Sequence, residues 1–205
     1  MGVSIIKGKT SAGASETILT DTDGAIILNP ANVTSMSPPA ITQTKSLPFL
    51  PYASLQRPAN GNAYTVGDVW GTASDSTLTF SVCAPANGGG GTIVGVTIGG
   101  STAGATDKVF NLYLFNAIPS AAIADHAVFT LDFADFSGGK FVGKILGISL
   151  AQANASDTSS HATVEAKLPF KCATGSTALY GRAVVAGTYT PGSGEVVGVQ
   201  LHILP

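Results

Sequence analysis

Three histidines are the residues of this chain best suited to acid–base chemistry or metal binding. His126 directly follows Asp125, a combination that can exchange protons, whereas His161 and His202 stand far from it along the chain. None of the three lies in a metal-binding spacing such as His-Glu-x-x-His. We expect Asp125 and His126 to form an exposed pair at the start of a strand, because surface ion pairs are common and contribute little.

Several short motifs begin like functional loops but lack a residue that the function requires. The glycine run at residues 88–91 is not followed by the Lys-Ser/Thr pair of a phosphate-binding loop. The segment Asp21-Thr22-Asp23-Gly24 opens like a calcium loop without its closing Glu, and residues 191–194 have the composition of a turn. The carboxylates that could approach one another in space are Asp107, Asp132 and Asp135, but a glycosidase pair is defined by a separation that no sequence provides. The sequence therefore predicts no catalytic residue, no cofactor and no metal ligand.

The two cysteines, Cys83 and Cys172, lack the close spacing of a zinc site or a redox dithiol. Proteins of a reducing cytoplasm keep their thiols free. We therefore expect two free thiols, with a disulfide between them as the alternative.

The composition excludes several classes of protein. Of the 205 residues only 11% are charged, against roughly 25% in average domains. The net charge of −2 leaves no basic stripe for phosphates, so we do not expect nucleic-acid binding. No run approaches the roughly 18 consecutive apolar residues of a membrane span, so we expect a soluble protein made in the cytoplasm. A surface of Ser, Thr, Asn and Gly favours association with other proteins.

Alternation of apolar and polar residues with a period of two recurs along the chain and predicts β-strands. The faces expected to be buried are Leu78, Phe80 and Val82; Val94, Val96 and Ile98; Ala127, Phe129, Leu131 and Phe133; Val164, Ala166, Leu168 and Phe170; and Val197, Val199, Leu201 and Ile203. Residues 110–115 are apolar on both faces, which predicts a central strand. Short strands separated by Gly- and Pro-rich turns are typical of a sandwich or barrel.

The first 58 residues have a different character. Residues 17–19 and 25–28 flank an Asp-Gly turn signal that predicts a hairpin. The Pro-rich run 29–58 is expected to be extended. We predict an all-β protein with an N-terminal hairpin and extended arm in residues 1–58, and a β-sandwich of jelly-roll-like antiparallel sheets in residues 59–205. The arm could reach a neighbouring subunit or pack along its own sandwich, and residues 151–160 could form a loop or a short helix.

Three stretches, taken together and in order, carry a resemblance to a known family. They are Leu-Gln-Arg-Pro-Ala at 55–59 with Ala-Tyr-Thr-Val-Gly-Asp-Val at 63–69; Phe-Asn-Leu-Tyr-Leu-Phe-Asn-Ala-Ile-Pro at 110–119 with Asp-His-Ala-Val-Phe at 125–129 and Phe-Val-Gly-Lys-Ile at 141–145; and Tyr-Thr-Pro-Gly-Ser-Gly-Glu-Val at 189–196. The chain thereby resembles small virion proteins of tailed bacteriophages and prophages. The hairpin at residues 20–24 is similar to their leader segments, whereas Asn60-Gly61-Asn62 replaces a more Thr-rich run.

The resemblance implies a capsid cement, or decoration, protein that is not an enzyme. Such a protein binds the outer surface of the major capsid protein and stabilises the phage head, after assembly in the cytoplasm of the bacterial host. The resemblance also implies a homotrimer, an assembly with the closed symmetry that oligomers favour. The interface is expected in residues 1–57 and in the Gly-rich loops. The alternatives are a tail, baseplate or fibre-associated module, and a carbohydrate-binding sandwich, which would need a cluster of exposed aromatic side chains.

Overall fold

The computed structural model describes residues 48–101, 108–152 and 157–205 in full and, before them, the backbone of three strands. These strands are β1 (Ser4–Lys9), β2 (Ser15–Thr20) and β3 (Ile26–Ile27). They form an antiparallel sheet in that order, and β2 pairs with β3 as the Asp-Gly signal predicts. The predicted turn and the predicted arm as far as residue 47 lie outside the described residues.

Ser46–Pro205 form a separate compact unit, which is a β-sandwich. Its strands are β4 (Tyr52–Gln56), β5 (Leu78–Phe80), β6 (Gly90–Gly100), β7 (Val109–Phe115), β8 (Phe141–Ser149), β9 (Ser160–Lys171), β10 (Leu179–Val185) and β11 (Val196–Leu204). One antiparallel sheet has the order β5-β10-β7-β8 and the other the order β4-β11-β6-β9. The one helix among the described residues is α1 (Phe133–Ser137). The predicted all-β sandwich is therefore confirmed.

The sandwich begins earlier in the chain than the predicted boundary at residue 59. The two compact units divide between residues 45 and 46, and β4 pairs along β11 with Ala53 opposite Val199. Pro48 and Pro51 precede β4 and make its surroundings look like an extended arm. Proline is compatible with this position because β4 is the edge strand of its sheet.

The core lies between the two sheets and is centred on β7. Phe110, Leu112 and Leu114 are fully buried, and β7 lies between β10 and β8, as the sequence predicts. In the other sheet, β9 and β11 keep the predicted alternation. The apolar side chains of β11 that reach the core are Val197, Val199, Leu201 and Ile203, all fully buried.

The apolar face predicted for β6 is partly wrong. A register shift between Ile93 and Gly95 interrupts the pairing of β6 with β9. Such a bulge adds one residue to a strand and changes which side chains face inward. Ile93 therefore lies in the core with Val96 and Ile98, and Val94 is only half-buried.

The edge formed by β5 and β10 also differs from the prediction. β5 ends at Phe80, so Val82 is exposed and Cys83 takes a buried position beyond the strand. The sequence does not reveal β10, because nearly all of its residues are buried and a strand covered on both faces shows no alternation.

In the segment 151–160, residues 153–156 lie outside the described residues, and the described ones form no helix.

Shortening Leu112 to alanine should lower the free energy of unfolding by about 2–5 kcal/mol, because the side chain is fully buried between the sheets. Urea denaturation followed by tryptophan fluorescence measures the loss. Leu146→Ala on β8 is the matched control, since Leu146 is 56% exposed and should cost less than about 0.5 kcal/mol. Equal losses in the two variants would contradict the central position of β7.

Cys83 and Cys172 are both free and buried, as predicted. Desolvation by burial raises the pKa of the Cys83 thiol to about 12 and also raises the pKa of Cys172. Because the thiolate is the reactive form, neither cysteine should react with dithionitrobenzoate in the folded protein. Both should react at once in denaturant. Rapid release of the chromophore from the native protein would contradict this arrangement.

Candidate functional site

Residues 116–140 connect β7 to β8 and form a lobe on the sandwich. Alternation over residues 126–133 predicts a strand here, and that prediction is wrong. The described backbone makes only an isolated bridge at Val128, and His126 has a φ of 62°. This left-handed conformation breaks the extended backbone at the first residue of the predicted strand, and α1 begins at its last residue, Phe133.

The lobe ends in the short helix α1. Asp132 caps it, because its Oδ1 accepts a hydrogen bond from the Ala134 N–H at 2.8 Å. The alternation places Phe133 on a buried face, but the helix turns it outward, where 76% of its surface is exposed. Phe136, one turn later, is 60% exposed.

The outer surface of the lobe is apolar. The rings of Phe133 and Phe136 lie 6.4 Å apart. Phe133 and Val128, which is 70% exposed, line the same surface cleft of about 600 Å³. We call Val128, Phe133, Phe136 and this cleft the apolar patch. Contiguous exposed apolar surface on a small domain is typical of a contact with another molecule.

A short backbone ladder holds the lobe against residues 67–72. Its hydrogen bonds run from Val69 N–H to Ala127 O (3.0 Å), from His126 N–H to Val69 O (3.1 Å), from Phe129 N–H to Gly67 O (2.8 Å) and from Asp125 N–H to Thr72 O (2.9 Å). These bonds fix the inner edge of the lobe, while the Val128 and Phe133 side chains stay exposed.

The fully buried guanidinium of Arg57 joins the lobe to the sandwich. Its Nη2 donates to His126 Nε2 at 2.9 Å and lies 3.6 Å from Asp125 Oδ2. Its Nη1 donates to the carbonyls of Asn60 and Gly192, which belong to the sandwich unit. One side chain thus connects three segments that are distant in sequence.

The prediction of an exposed Asp125–His126 pair is wrong. The Asp125 side chain is only 4% exposed, and its Oδ1 accepts hydrogen bonds from the Tyr64 hydroxyl and from the Gly71 N–H. The His126 ring stacks on Tyr64 with the centroids 4.0 Å apart. Because a guanidinium can only donate, His126 Nε2 is the acceptor from Arg57 and Nδ1 carries the proton. This cluster orients the lobe and leaves no free lone pair on the ring for a substrate.

At the other end of the lobe, Asp135 is buried. It accepts hydrogen bonds from the Ser120 hydroxyl at 2.6 Å and pairs with Lys140 Nζ at 3.1 Å. Desolvation by burial raises the pKa of Asp135, but the hydrogen bonds from Ser120, together with the bond and charge of Lys140, outweigh it. The pKa is therefore lowered from its usual 3.8. Arg182 of β10 donates to the Ala121 carbonyl and secures the same end.

The stabilisation that Asp135 gives should depend on pH. Because its pKa is lower in the folded protein, the contribution is fully present above the ordinary value of 3.8 and is lost as the pH falls through the folded-state pKa. Urea denaturation of the wild type and of Asp135→Asn at decreasing pH measures it. The difference between their unfolding free energies should be constant near neutrality and shrink in acid. A difference that grows on acidification would contradict the assignment.

The other charged and histidine side chains differ in their surroundings. Lys108, directly before β7, and Glu195, directly before β11, form a buried pair across the sandwich, with 2.6 Å between Lys108 Nζ and Glu195 Oε1. His202 Nε2 lies 3.1 Å from Thr97 Oγ1, whereas His161 is exposed on β9. Asp107 and the segment 21–24 lie outside the described residues. Within the described residues, no three His, Cys, Asp or Glu side chains are grouped as metal ligands.

Comparison of the chain with protein-family models, with curated proteins and with solved structures found no significant match. The resemblance to phage virion proteins therefore stays a prediction. Among the described residues, no helix is long and apolar enough to span a membrane.

Proposed function

We propose that the chain is a non-enzymatic structural protein of a tailed-phage virion, a cement protein that binds the outer surface of the major capsid protein through the apolar patch. The observation that carries this proposal is the exposure of Phe133 and Phe136 beside a cleft, on a sandwich whose core is already filled by other side chains. Burying apolar surface contributes about 25 cal/mol per Å². A partner that covers the patch therefore gains affinity without any chemistry.

The way the lobe is held suits a binding surface. Two ion pairs with buried carboxylates hold the lobe, Arg57 with Asp125 and Lys140 with Asp135, and the backbone ladder fixes its inner edge. A surface that is already ordered loses little conformational entropy when a partner binds. A cement protein needs this property, because it stabilises the head only by adding contact area between capsid subunits.

The exposed aromatic side chains favour a protein partner over a carbohydrate. Trp70 is buried, and of the five tyrosines only Tyr52 is largely exposed. The adjacent exposed rings are phenylalanines, which have no polar group to donate to a sugar hydroxyl. A tail or baseplate module would have the same surface chemistry. Whether the chain binds heads or tails therefore distinguishes a cement protein from such a module.

Co-sedimentation of the purified chain with empty, undecorated heads of the phage or prophage that encodes it tests the proposal. We expect saturable binding with a copy number proportional to the number of capsid subunits, by a homotrimer with closed symmetry. Light scattering measures the oligomeric state in parallel. Binding to tails or to a host glycan, with none to heads, would contradict the cement proposal.

A further inference from the structure

The cleft of the apolar patch has one charged residue. Ten residues between Ala121 and Phe133 line it, and only Thr130 and Asp132 among them are polar. Within the lobe, residues 116–140, the sequence contains three aspartates, and its one lysine, Lys140, pairs with Asp135. Two of these carboxylates are buried and ion-paired, as described above. Asp132 is exposed and makes no ion pair with any residue that the structure describes.

We infer that the protein segment that fills this cleft is apolar and carries a lysine or arginine opposite Asp132. The inference rests on the proposed function and names the chemistry of its partner. One carboxylate oxygen, Oδ1, already caps α1 by accepting from the Ala134 N–H, which leaves Oδ2 to accept from a cation. An acidic segment would place like charges together at the rim of an apolar cleft, which is strongly unfavourable once water is displaced.

Asp132 contributes more to the choice of partner than to the affinity for that partner. Apolar contacts with Val128 and Phe133 supply most of the binding free energy, since both side chains are largely exposed before binding. Exposed ion pairs contribute little by themselves. A carboxylate at the rim nevertheless excludes acidic competitors, and such exclusion is a common source of specificity.

Two small probes of matched shape test the chemistry of the cleft directly. 3-Phenylpropylammonium and 4-phenylbutyrate carry the same phenylpropyl body with opposite charges. Titrated into the ¹⁵N-labelled protein, the cation should shift the amide signals of residues 121–133 with an affinity about two- to fivefold higher than the anion. Asp132→Asn should remove the difference. Glu165→Gln, which neutralises an exposed carboxylate on β9, should leave it unchanged. Equal affinities, or shifts outside this segment, would overturn the inference.

Binding to heads separates this inference from the proposed function. Asp132→Lys should weaken co-sedimentation with heads severalfold more than the matched reversal Glu165→Lys, and the excess should decrease at high salt. Heads that bind both variants equally would overturn the inference and leave the cement proposal standing. Heads that bind no form of the chain would overturn the cement proposal, whereas the preference between the two small probes would be unaffected.

A second copy of this chain is the competing occupant of the cleft. Lys144 and the exposed Leu146 on β8 offer an apolar and basic segment of their own. Sedimentation equilibrium of the wild type and of Lys144→Glu distinguishes the two occupants. If the wild type self-associates and both Lys144→Glu and Asp132→Lys abolish this association, the cleft binds a second copy. That result would overturn the assignment of the cleft to a different protein. Unchanged association in both variants supports it.

Discussion

Replacing Phe133 and Phe136 together by serine should abolish measurable binding to heads while leaving the fold intact. Aromatic anchors at the centre of an interface typically contribute 2 kcal/mol or more each, which corresponds to a loss of affinity of roughly 30-fold or more per residue. The free energy of unfolding should change by less than about 0.5 kcal/mol per site, because both side chains are mostly exposed.

The control for this variant is a pair of exposed apolar residues on the sandwich. Leu146 and Leu204 are 56% and 49% exposed and lie on β8 and β11, outside the lobe. Their replacement by serine should leave binding to heads within about twofold of the wild type. If this variant loses binding and the phenylalanine variant keeps it, the docking surface lies elsewhere on the sandwich.

Replacing Arg57 by methionine should destabilise the protein by about 3–5 kcal/mol, since it leaves the buried Asp125 carboxylate without its cation. It also removes the hydrogen bonds to His126 and Gly192, so the lobe loses one of its links to the sandwich. Urea denaturation measures the loss. Amide hydrogen exchange should accelerate, relative to the wild type, more in residues 125–129 than in the core strands.

Two companion variants separate the charge of Arg57 from its shape. Arg57→Lys keeps the charge but replaces the planar fork of five donors with a compact ammonium, so its stability should lie between those of the wild type and Arg57→Met. Adding Asp125→Asn to Arg57→Met removes the unpaired carboxylate and should recover part of the lost stability. If Arg57→Met costs less than about 1 kcal/mol, the buried cluster does not hold the lobe.

Sequence periodicity identifies strands that have one buried and one exposed face. β9 and β11 are of this kind, and their inward residues agree with the prediction. β10 is missed because its two covered faces erase the alternation. Residues 126–133 alternate without forming a strand, and the local pattern reveals neither the left-handed backbone at His126 nor the turn into α1 at Phe133.

The candidate site was not predictable from local sequence. Arg57 precedes a proline, and from the sequence it is predicted to end the arm. Its partners His126 and Gly192 lie 69 and 135 positions further along the chain. Contacts over such separations follow from the order of the strands, which alternation does not specify. The same holds for Phe133, whose exposure depends on the turn into α1 rather than on its place in a hydrophobic pattern.

The most direct test of the docking surface is an electron cryomicroscopy reconstruction of heads saturated with the chain. We predict density for the sandwich on the outside of the shell, with residues 116–140 against the major capsid protein and the cleft filled by a capsid segment. Contact with the shell through another face of the sandwich, with the lobe in solvent, would contradict the proposed docking surface.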